Sequence, residues 1–259
     1  MGIAVWTGCT CAIVRAERTM ASSMSGVIRS VPLQLRVAGT LFALLAIAPA
    51  HAGASTILPN GTYVYDIAED GKTEATSTIV VTRTPDEIVV TEHASPMEAG
   101  EITRRIYDGA SFAARAFANE VDGRTYATVT VNGRSAAIDQ GGRKSTLTAP
   151  AGAPFAVFDA NVSSVFQLPA MLHAQPNNRL TLANLFFGIS TMAVTAAPAT
   201  VPRPARVPAG DVGTQIALDG KPAALWYDPV SYVLDEFDTP SARIAFVLTK
   251  RSDAITPLP

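Results

Sequence analysis

The fold class of this chain is decided by residues 211–250, DVGTQIALDGKPAALWYDPVSYVLDEFDTPSARIAFVLTK. The Asp219-Gly220 pair separates two segments rich in sheet-favouring residues and predicts a tight hairpin. Asp228-Pro229 predicts the next turn, and Tyr232–Phe237 predicts a third strand. Apolar or β-branched residues alternate along the first and last segments, at Val212, Thr214, Ile216 and Leu218 and again at Ile244, Phe246 and Leu248. The region therefore predicts antiparallel strands joined by short turns.

The same pattern runs through the first half of the chain, where turn signals such as Asp70-Gly71, Asp122-Gly123 and Asn132-Gly133 separate short sheet-favouring segments. Closely spaced strands of this kind are typical of an all-β sandwich, barrel or strongly curved sheet. We expect a mainly all-β antiparallel meander that forms a curved sheet, half-barrel or barrel. The predicted strands lie at residues 62–67, 75–83, 87–93, 102–107, 112–119, 124–131, 135–140 and 144–148.

The pattern changes after residue 148, where 149–155 reads as a linker. The segment Asp159–Ala174 predicts a short helical insert, with Asp159 as its N-cap and a kink or break at Pro169. Within 180–196, residues 185–189 and 191–196 are interpreted as strand or short helix. The proline-rich segment 197–210 predicts an extended crossing or surface loop.

The N-terminal residues 1–52 predict a secretory signal peptide. The apolar run Val37–Ala48 follows two arginines and precedes Ala50-His51-Ala52, which fits a small-x-small cleavage site. The segment before this run is long for an n-region, so Met24 is the better start. We expect residues 53–259 to form a single antiparallel β domain without a transmembrane segment, in the periplasm or secreted.

Cysteine and charge exclude several classes of function. Cys9 and Cys11 are the chain's 2 cysteines, so the expected mature chain has no disulfide, thiolate nucleophile or cysteine zinc ligand. The formal net charge is −2, and the charges are dispersed rather than gathered into a basic stripe. A nucleic-acid partner is therefore not expected.

Catalytic signals are weak. Of the three histidines, His93 and His173 lie in the expected mature chain, and no G-x-S-x-G motif accompanies them. Glu92 and His93 are adjacent on a predicted strand, so their side chains point to opposite faces and do not form a metal site. The neighbouring carboxyls Asp235 and Glu236 could pair across a cleft, but acidic residues are also common at strand ends. No catalytic residue, metal or cofactor is predicted.

The Trp226-Tyr227-Asp228-Pro229 cluster has two interpretations. In the first, the aromatic residues fill the sheet core and Asp-Pro makes the turn. In the second, an aromatic residue lines a ligand cavity and Asp228 lies at its mouth. Both are kept open here.

Gly220, the WYDP cluster at 226–229 and the closing IAFVLTK strand carry a family resemblance. They resemble the C-terminal part of exported bacterial proteins of unknown function, which are similar to the lipoprotein-carrier and lipocalin-like group of curved sheets. The segment DANVSSVFQLPAML, residues 159–172, is similar to the helical insert of that group. The resemblance implies a half-barrel or barrel with a helical plug.

The leading functional hypothesis is non-enzymatic binding of a lipid or another hydrophobic or amphipathic small molecule on the concave apolar face. Only one of the neighbours Leu225 and Trp226 can face inward. The alternatives are an envelope protein-interaction module and a hydrolase or isomerase with an acidic site. The residues predicted to line, close or border the ligand site are Phe166, Leu168, Leu172, Leu225, Trp226, Asp228, Leu234, Arg243 and Phe246.

Overall fold

The part of the chain that the structure describes forms a large sheet of 13 strands, a small sheet of 3 strands and two short helices. The computed structural model describes residues 57–95, 100–186, 188–218 and 220–253. In chain order the elements are β1 (Gly61–Glu69), β2 (Lys72–Arg83), β3 (Glu87–Ser95), β4 (Glu101–Asp108), β5 (Ala114–Val121), β6 (Arg124–Asn132), β7 (Ser135–Gln140), β8 (Arg143–Thr148), β9 (Phe155–Phe158), α1 (Ser163–Phe166), α2 (Leu168–His173), β10 (Arg179–Asn184), β11 (Ser190–Thr195), β12 (Ala197–Pro198), β13 (Val212–Leu218), β14 (Lys221–Tyr227), β15 (Leu234–Thr239) and β16 (Ile244–Asp253).

Tight Asp-Gly turns set the register of neighbouring strands. Asp70 and Gly71 join β1 to β2 with φ of +53° and +76°, and Asp122 and Gly123 join β5 to β6 with φ of +50° and +71°. Positive φ at both central residues defines the type I′ turn, which glycine adopts freely and aspartate tolerates. The turn signals at these positions were therefore correct.

The large sheet consists of two meanders joined by strands from opposite ends of the described chain. β1 to β8 pair in sequence, as do β12 to β16, and β16 pairs with β1 from Glu69–Ile244 to Gly61–Asp253. β12 and β8 remain as the two edges. The sheet is antiparallel and curved but not closed into a barrel. The predicted mainly all-β fold with a short helical insert is confirmed, and of the predicted alternatives the observed one is a curved sheet that does not close into a barrel.

The inner face of the large sheet is covered by residues 155–195, hereafter the insert. Its strands β9 and β10 pair in parallel, and the chain crosses between them through α1 and α2, as a parallel pair requires. Side chains of the insert and the inner face form a continuous apolar core, which includes Tyr63, Tyr65, Ile79, Val90, Phe166, Leu168, Leu180 and Leu182. A second cluster joins β5, β6 and β7 to β9 through Phe117, Val129, Ile138, Phe155 and Val157.

The helical part of the insert is shorter than the predicted Asp159–Ala174. It begins at Ser163 and is split at Gln167, and Pro169 occupies the first turn of α2, where its missing N–H is tolerated. The prediction that Asp159 caps the helix is wrong. The Asp159 carboxylate instead forms an ion pair with Arg105. The N-cap residue of α1 is Val162, whose own side chain makes no capping hydrogen bond.

The cap of α1 comes from the sheet. Glu92 of β3 is 2% exposed and accepts hydrogen bonds from the backbone N–H groups of Val162 (3.1 Å) and Ser163 (2.8 Å). The Ser77 hydroxyl donates to the same carboxylate at 2.5 Å. Burial raises the pKa of Glu92, and the hydrogen bonds from Ser163 and Ser77 oppose that rise. A distant carboxylate thus satisfies the free N–H groups that every helix start presents.

Arg105 of β4 makes the second attachment. Its side chain is 1% exposed, donates to the Ser163 hydroxyl at 2.8 Å and to the Val157 carbonyl at 2.7 Å, and pairs with Asp159. The guanidinium also lies over the Phe117 ring, 4.8 Å from its centroid. A buried cation is tolerated only with such partners, so Arg105 fixes the position of the insert against the sheet.

Two predicted strands start later than expected because a turn residue has positive φ. The strand predicted at 112–119 begins at Ala114, since Phe112 has φ of +57°. The strand predicted at 232–237 begins at Leu234, since Tyr232 has φ of +55°. Each of these residues follows an aspartate turn that redirects the chain before pairing starts.

The segment between residues 149 and 210 was predicted least well. The predicted linker 149–155 ends in β9, and 185–189 holds no strand or helix where the structure describes it. The strand alternative for 191–196 is close to the observed β11. The segment 197–210 contains the two-residue β12 and is otherwise a surface loop, as expected.

The predicted signal peptide at 1–52 and the preferred start at Met24 lie outside the described residues. All described residues belong to one compact unit, His51–Pro259. None of the helices described there has the length and apolar character needed to span a bilayer.

Replacing Arg105 with methionine should lower the free energy of unfolding by about 3–5 kcal/mol, because it leaves the buried Asp159 and Ser163 without their partner. The matched control is Arg115→Met, which breaks an ion pair with Asp108 whose arginine side chain is 48% exposed. That loss should stay below about 1 kcal/mol. Urea denaturation followed by circular dichroism measures both, and equal losses would contradict the attachment of the insert through Arg105.

Candidate functional site

An open cleft of about 390 Å³ lies beside the C-terminal end of α2. Its walls come from α2, from the end of the insert, from β12 and the start of β13, and from the turn that follows β14. The larger apolar and the aromatic or hydroxyl-bearing side chains that line it are Leu172, His173, Val212, Thr214, Tyr227 and Tyr232. The cleft is thus built where the insert stops covering the inner face of the sheet.

Three aromatic rings form one wall of the cleft. Tyr232 stacks on His173 with ring centroids 4.3 Å apart and on Tyr227 with centroids 5.7 Å apart. The Asp228 turn positions Tyr232, because the Asp228 carboxylate accepts the N–H of Val230 at 2.7 Å and its carbonyl accepts the N–H of Tyr232 at 2.9 Å. The positive φ of Tyr232 then turns its ring back toward α2.

The polar groups of this wall are paired with each other by hydrogen bonds. The Tyr232 hydroxyl hydrogen bonds with Nδ1 of His173 at 2.8 Å, and the Tyr227 hydroxyl with the Thr214 hydroxyl at 2.9 Å. Burial, together with neighbouring Tyr227, raises the pKa of Tyr232, so this phenol is neutral at physiological pH. The wall therefore offers aromatic faces bordered by hydroxyl groups that donate and accept hydrogen bonds.

An ion pair lies at the rim of the cleft. Asp228 precedes the cleft residue Pro229 and is 3.4 Å from Nη1 of Arg251, which also donates to the Ser231 hydroxyl at 3.1 Å. Burial works against ionisation of Asp228, but the N–H groups of Val230 and Ser231 lower its pKa overall. The rim thus carries both charge signs close to the aromatic surface of the cleft.

Most of the nine predicted ligand-binding residues lie in the apolar core. Leu225 faces inward and Trp226 faces outward, where it packs with Val207 and Ala224. Leu172 is shared, since it belongs to the core and also lines the cleft. The predicted residues that the structure gathers in the main core are Phe166, Leu168, Leu172, Leu225, Leu234 and Phe246.

Asp228 and Arg243 lie at opposite ends of β15. Asp228 lies in the turn before this strand, whereas Arg243 lies in the turn after it and pairs with Asp70. Six residues of strand separate two such positions by about 20 Å. Of these two residues, Asp228 is therefore the one beside the cleft.

Sequence reasoning missed the aromatic stack. No role was predicted for His173, and Tyr232 was predicted to be the first residue of a strand. Tyr227 fits the second interpretation of the WYDP cluster, in which an aromatic residue lines a cavity. The Asp-Pro turn was the one available signal, but it does not show which ring the turn brings against α2.

The acidic residues singled out in the sequence are separated in the structure. Glu236 binds Arg206, while Asp235 lies beside Asp211. Glu92 and His93 do point to opposite faces, with Glu92 buried and His93 exposed. Across the ranges of the chain that the structure describes, no three potential metal-ligating side chains come together.

Comparison with protein-family models, curated proteins and solved structures finds no match for this chain.

Thr214→Val and Tyr227→Phe each remove one oxygen atom from the cleft wall, and each should lower the free energy of unfolding by about 0.5–1.5 kcal/mol. The double variant should lose less than the sum, because both changes break the same hydrogen bond. Tyr126→Phe is the control, since that ring is 54% exposed. Strictly additive losses in urea denaturation would show that the two hydroxyls do not interact.

Proposed function

We propose that this chain is an exported, non-enzymatic binding protein that takes an amphipathic small molecule into the cleft. The observation that carries the proposal is the wall of three stacked rings, His173, Tyr232 and Tyr227, beside open space of about 390 Å³. Binding sites for small molecules are typically concave and mostly apolar, with a few placed polar groups. The cleft is concave and combines apolar side chains such as Leu172 and Val212 with the hydroxyls of Thr214, Tyr227 and Tyr232, a mixture that suits an amphipathic ligand.

The concave face of the sheet is filled by side chains of the insert and has no room for a ligand, whereas the cleft is open. Phe166 and Leu168 of the insert are fully buried against Tyr63 and Tyr65 of β1. Phe166 lies 5.3 Å from Tyr63 and 6.1 Å from Tyr65, measured between ring centroids. A ligand on the concave face would have to displace these contacts and the buried charges that hold α1. A ligand in the cleft displaces only solvent.

The cleft favours a ligand with one flat apolar face and one polar end. Aromatic stacking on Tyr227 or Tyr232 is worth about 0.5–1.5 kcal/mol beyond the burial of area, and each buried methylene adds about 0.8 kcal/mol. The polar end would meet Asn178 and the Asp228–Arg251 pair. Apolar contacts of this kind give affinity with little head-group selectivity.

Localisation rests on the sequence alone. If residues 1–52 are removed as a signal peptide, the protein binds its ligand in the periplasm or outside the cell.

Anilinonaphthalene sulfonate, an aromatic apolar probe with a charged end, should bind the folded protein saturably. Val212→Glu places a carboxylate in the cleft, where it repels the sulfonate, from a side chain that is 40% exposed. This variant should bind the probe at least about ten-fold more weakly, equivalent to about 1.4 kcal/mol. Fluorescence titration measures the dissociation constant.

Val121→Glu is the matched control, because Val121 is 41% exposed and lies on β5 outside the cleft. It should bind the probe like the parent protein, and both variants should keep the parent circular dichroism spectrum. Equal binding by both variants would place the probe elsewhere and contradict the proposal. Mass spectrometry of an organic extract of the natively purified protein then identifies a ligand retained from the cell.

A further inference from the structure

A proline-rich loop, residues 199–211, covers the outer face of β14 and is called the strap below. It connects β12 to β13, which pair with each other, so its ends are close together as in an Ω-loop. Val207 is the one strap residue that is fully buried, and it packs against Trp226 and Ala224. Trp226 is 6% exposed under this cover.

The strap lies close against the sheet at its base. Gly213, opposite Trp226 in the β13–β14 pair, leaves room for the indole, since a Cβ there would be 2.5 Å from the ring. Ala199 packs on the same cluster, and its N–H donates to the Gly213 carbonyl at 3.0 Å. The indole therefore lies between the sheet and the strap.

An ion pair clamps the middle of the strap. Arg206 donates from Nε and Nη2 to the two carboxylate oxygens of Glu236, both at 2.7 Å. The Glu236 side chain is 1% exposed, whereas that of Arg206 is 56% exposed, so the arginine closes over the acid. Asp238 is the other charged group that acts on Glu236.

A carboxyl pair holds the C-terminal end of the strap. Asp211 lies within hydrogen-bonding reach of Asp235 on β15. Oδ2 of Asp211 is buried, and no N–H or hydroxyl donor of the described residues reaches it. The surrounding charges are Asp228, Arg203 of the strap and Arg251 of β16. A proton on one of the two carboxyls makes the missing donor.

We propose that the strap is a proton-operated lid over Trp226, held closed by a proton shared between Asp211 and Asp235. Opening separates the two carboxyls and uncovers the indole and the Glu236 carboxylate.

The direction of the pH dependence follows from the closed state. Burial, and then the adjoining Asp211, raise the pKa of Asp235 from its ordinary 3.8 to about 7, and burial also raises the pKa of Asp211. Separation of the carboxyls returns both toward ordinary values, so the closed lid binds more protons than the open lid. Closure is therefore strongest in acid, and it weakens as the pH rises from 3.8, the ordinary pKa of an aspartate, through about 7, the pKa of Asp235 in the closed lid.

Acrylamide quenching of Trp226 fluorescence tests the lid in the full chain. The chain has two tryptophans, so Trp6→Phe leaves Trp226 as the single reporter. The quenching constant should rise about two-fold or more between about pH 5 and about pH 8.5, because loss of the proton opens the lid. The far-ultraviolet circular dichroism should stay constant over this range.

Asp235→Asn is the decisive variant, since its amide keeps a donor to Asp211 at every pH. It should hold quenching at the low acidic value throughout, and Asp211→Asn should likewise remove the pH response. Quenching that is independent of pH in the parent, or an Asp235→Asn variant that follows the parent, overturns the proposal. A parallel loss of circular dichroism also overturns it, because the change would then be unfolding.

Discussion

The hydrogen bonds from the start of α1 to the carboxylate of Glu92 are the contact on which the rest of the structure depends. A helix of four residues gains little from its own backbone, because the first turn costs more conformational entropy than its hydrogen bonds return. Here the sheet supplies the cap, and Arg105 supplies a second anchor through Ser163 and Asp159. The insert is therefore held by buried polar contacts as well as by apolar packing.

This attachment determines where a ligand has room. A curved sheet with an uncovered inner face would expose a large apolar surface, which monomeric proteins rarely do. The insert covers that face with its own side chains, and the cleft begins where its second helix, α2, ends at His173. Strands β13 and β14 carry the strap on their outer face. At the start of β13, Val212 and Gly213 border the cleft, and Gly213 also leaves room for the Trp226 ring.

Local signals in the sequence predicted most of the large sheet. Asp-Gly turns require positive φ at both positions, and that chemistry can be read from two residues, as at Asp70-Gly71 and Asp122-Gly123. The strands between them follow from alternation of apolar and polar residues. The fold class and the first eight strands were predicted for this reason, with errors of a few residues at their ends.

Long-range contacts explain what the sequence did not reveal. The pairing of β1 with β16 joins residues far apart in the chain, and no short pattern encodes it. Asp159 was predicted to cap the helix because it lies just before the helical segment. Its actual partner, Arg105, lies 54 positions away in the chain, and no local pattern indicates that contact. Of the candidate site, the sequence indicated Leu172, Asp228 and an aromatic residue of the WYDP cluster. It did not indicate Tyr232, because the backbone conformation that turns this ring toward His173 depends on the Asp228 turn.

The central claim is that the insert stays in place and that an amphipathic ligand binds at its end. Nuclear magnetic resonance of the protein titrated with anilinonaphthalene sulfonate tests this most directly, through amide and aromatic chemical shifts. The account predicts perturbations centred on His173, Tyr227 and Tyr232, with the signals of Tyr63 and Phe166 unchanged. Perturbations centred on Tyr63 and Phe166 would show that the ligand displaces the insert, and would contradict the account.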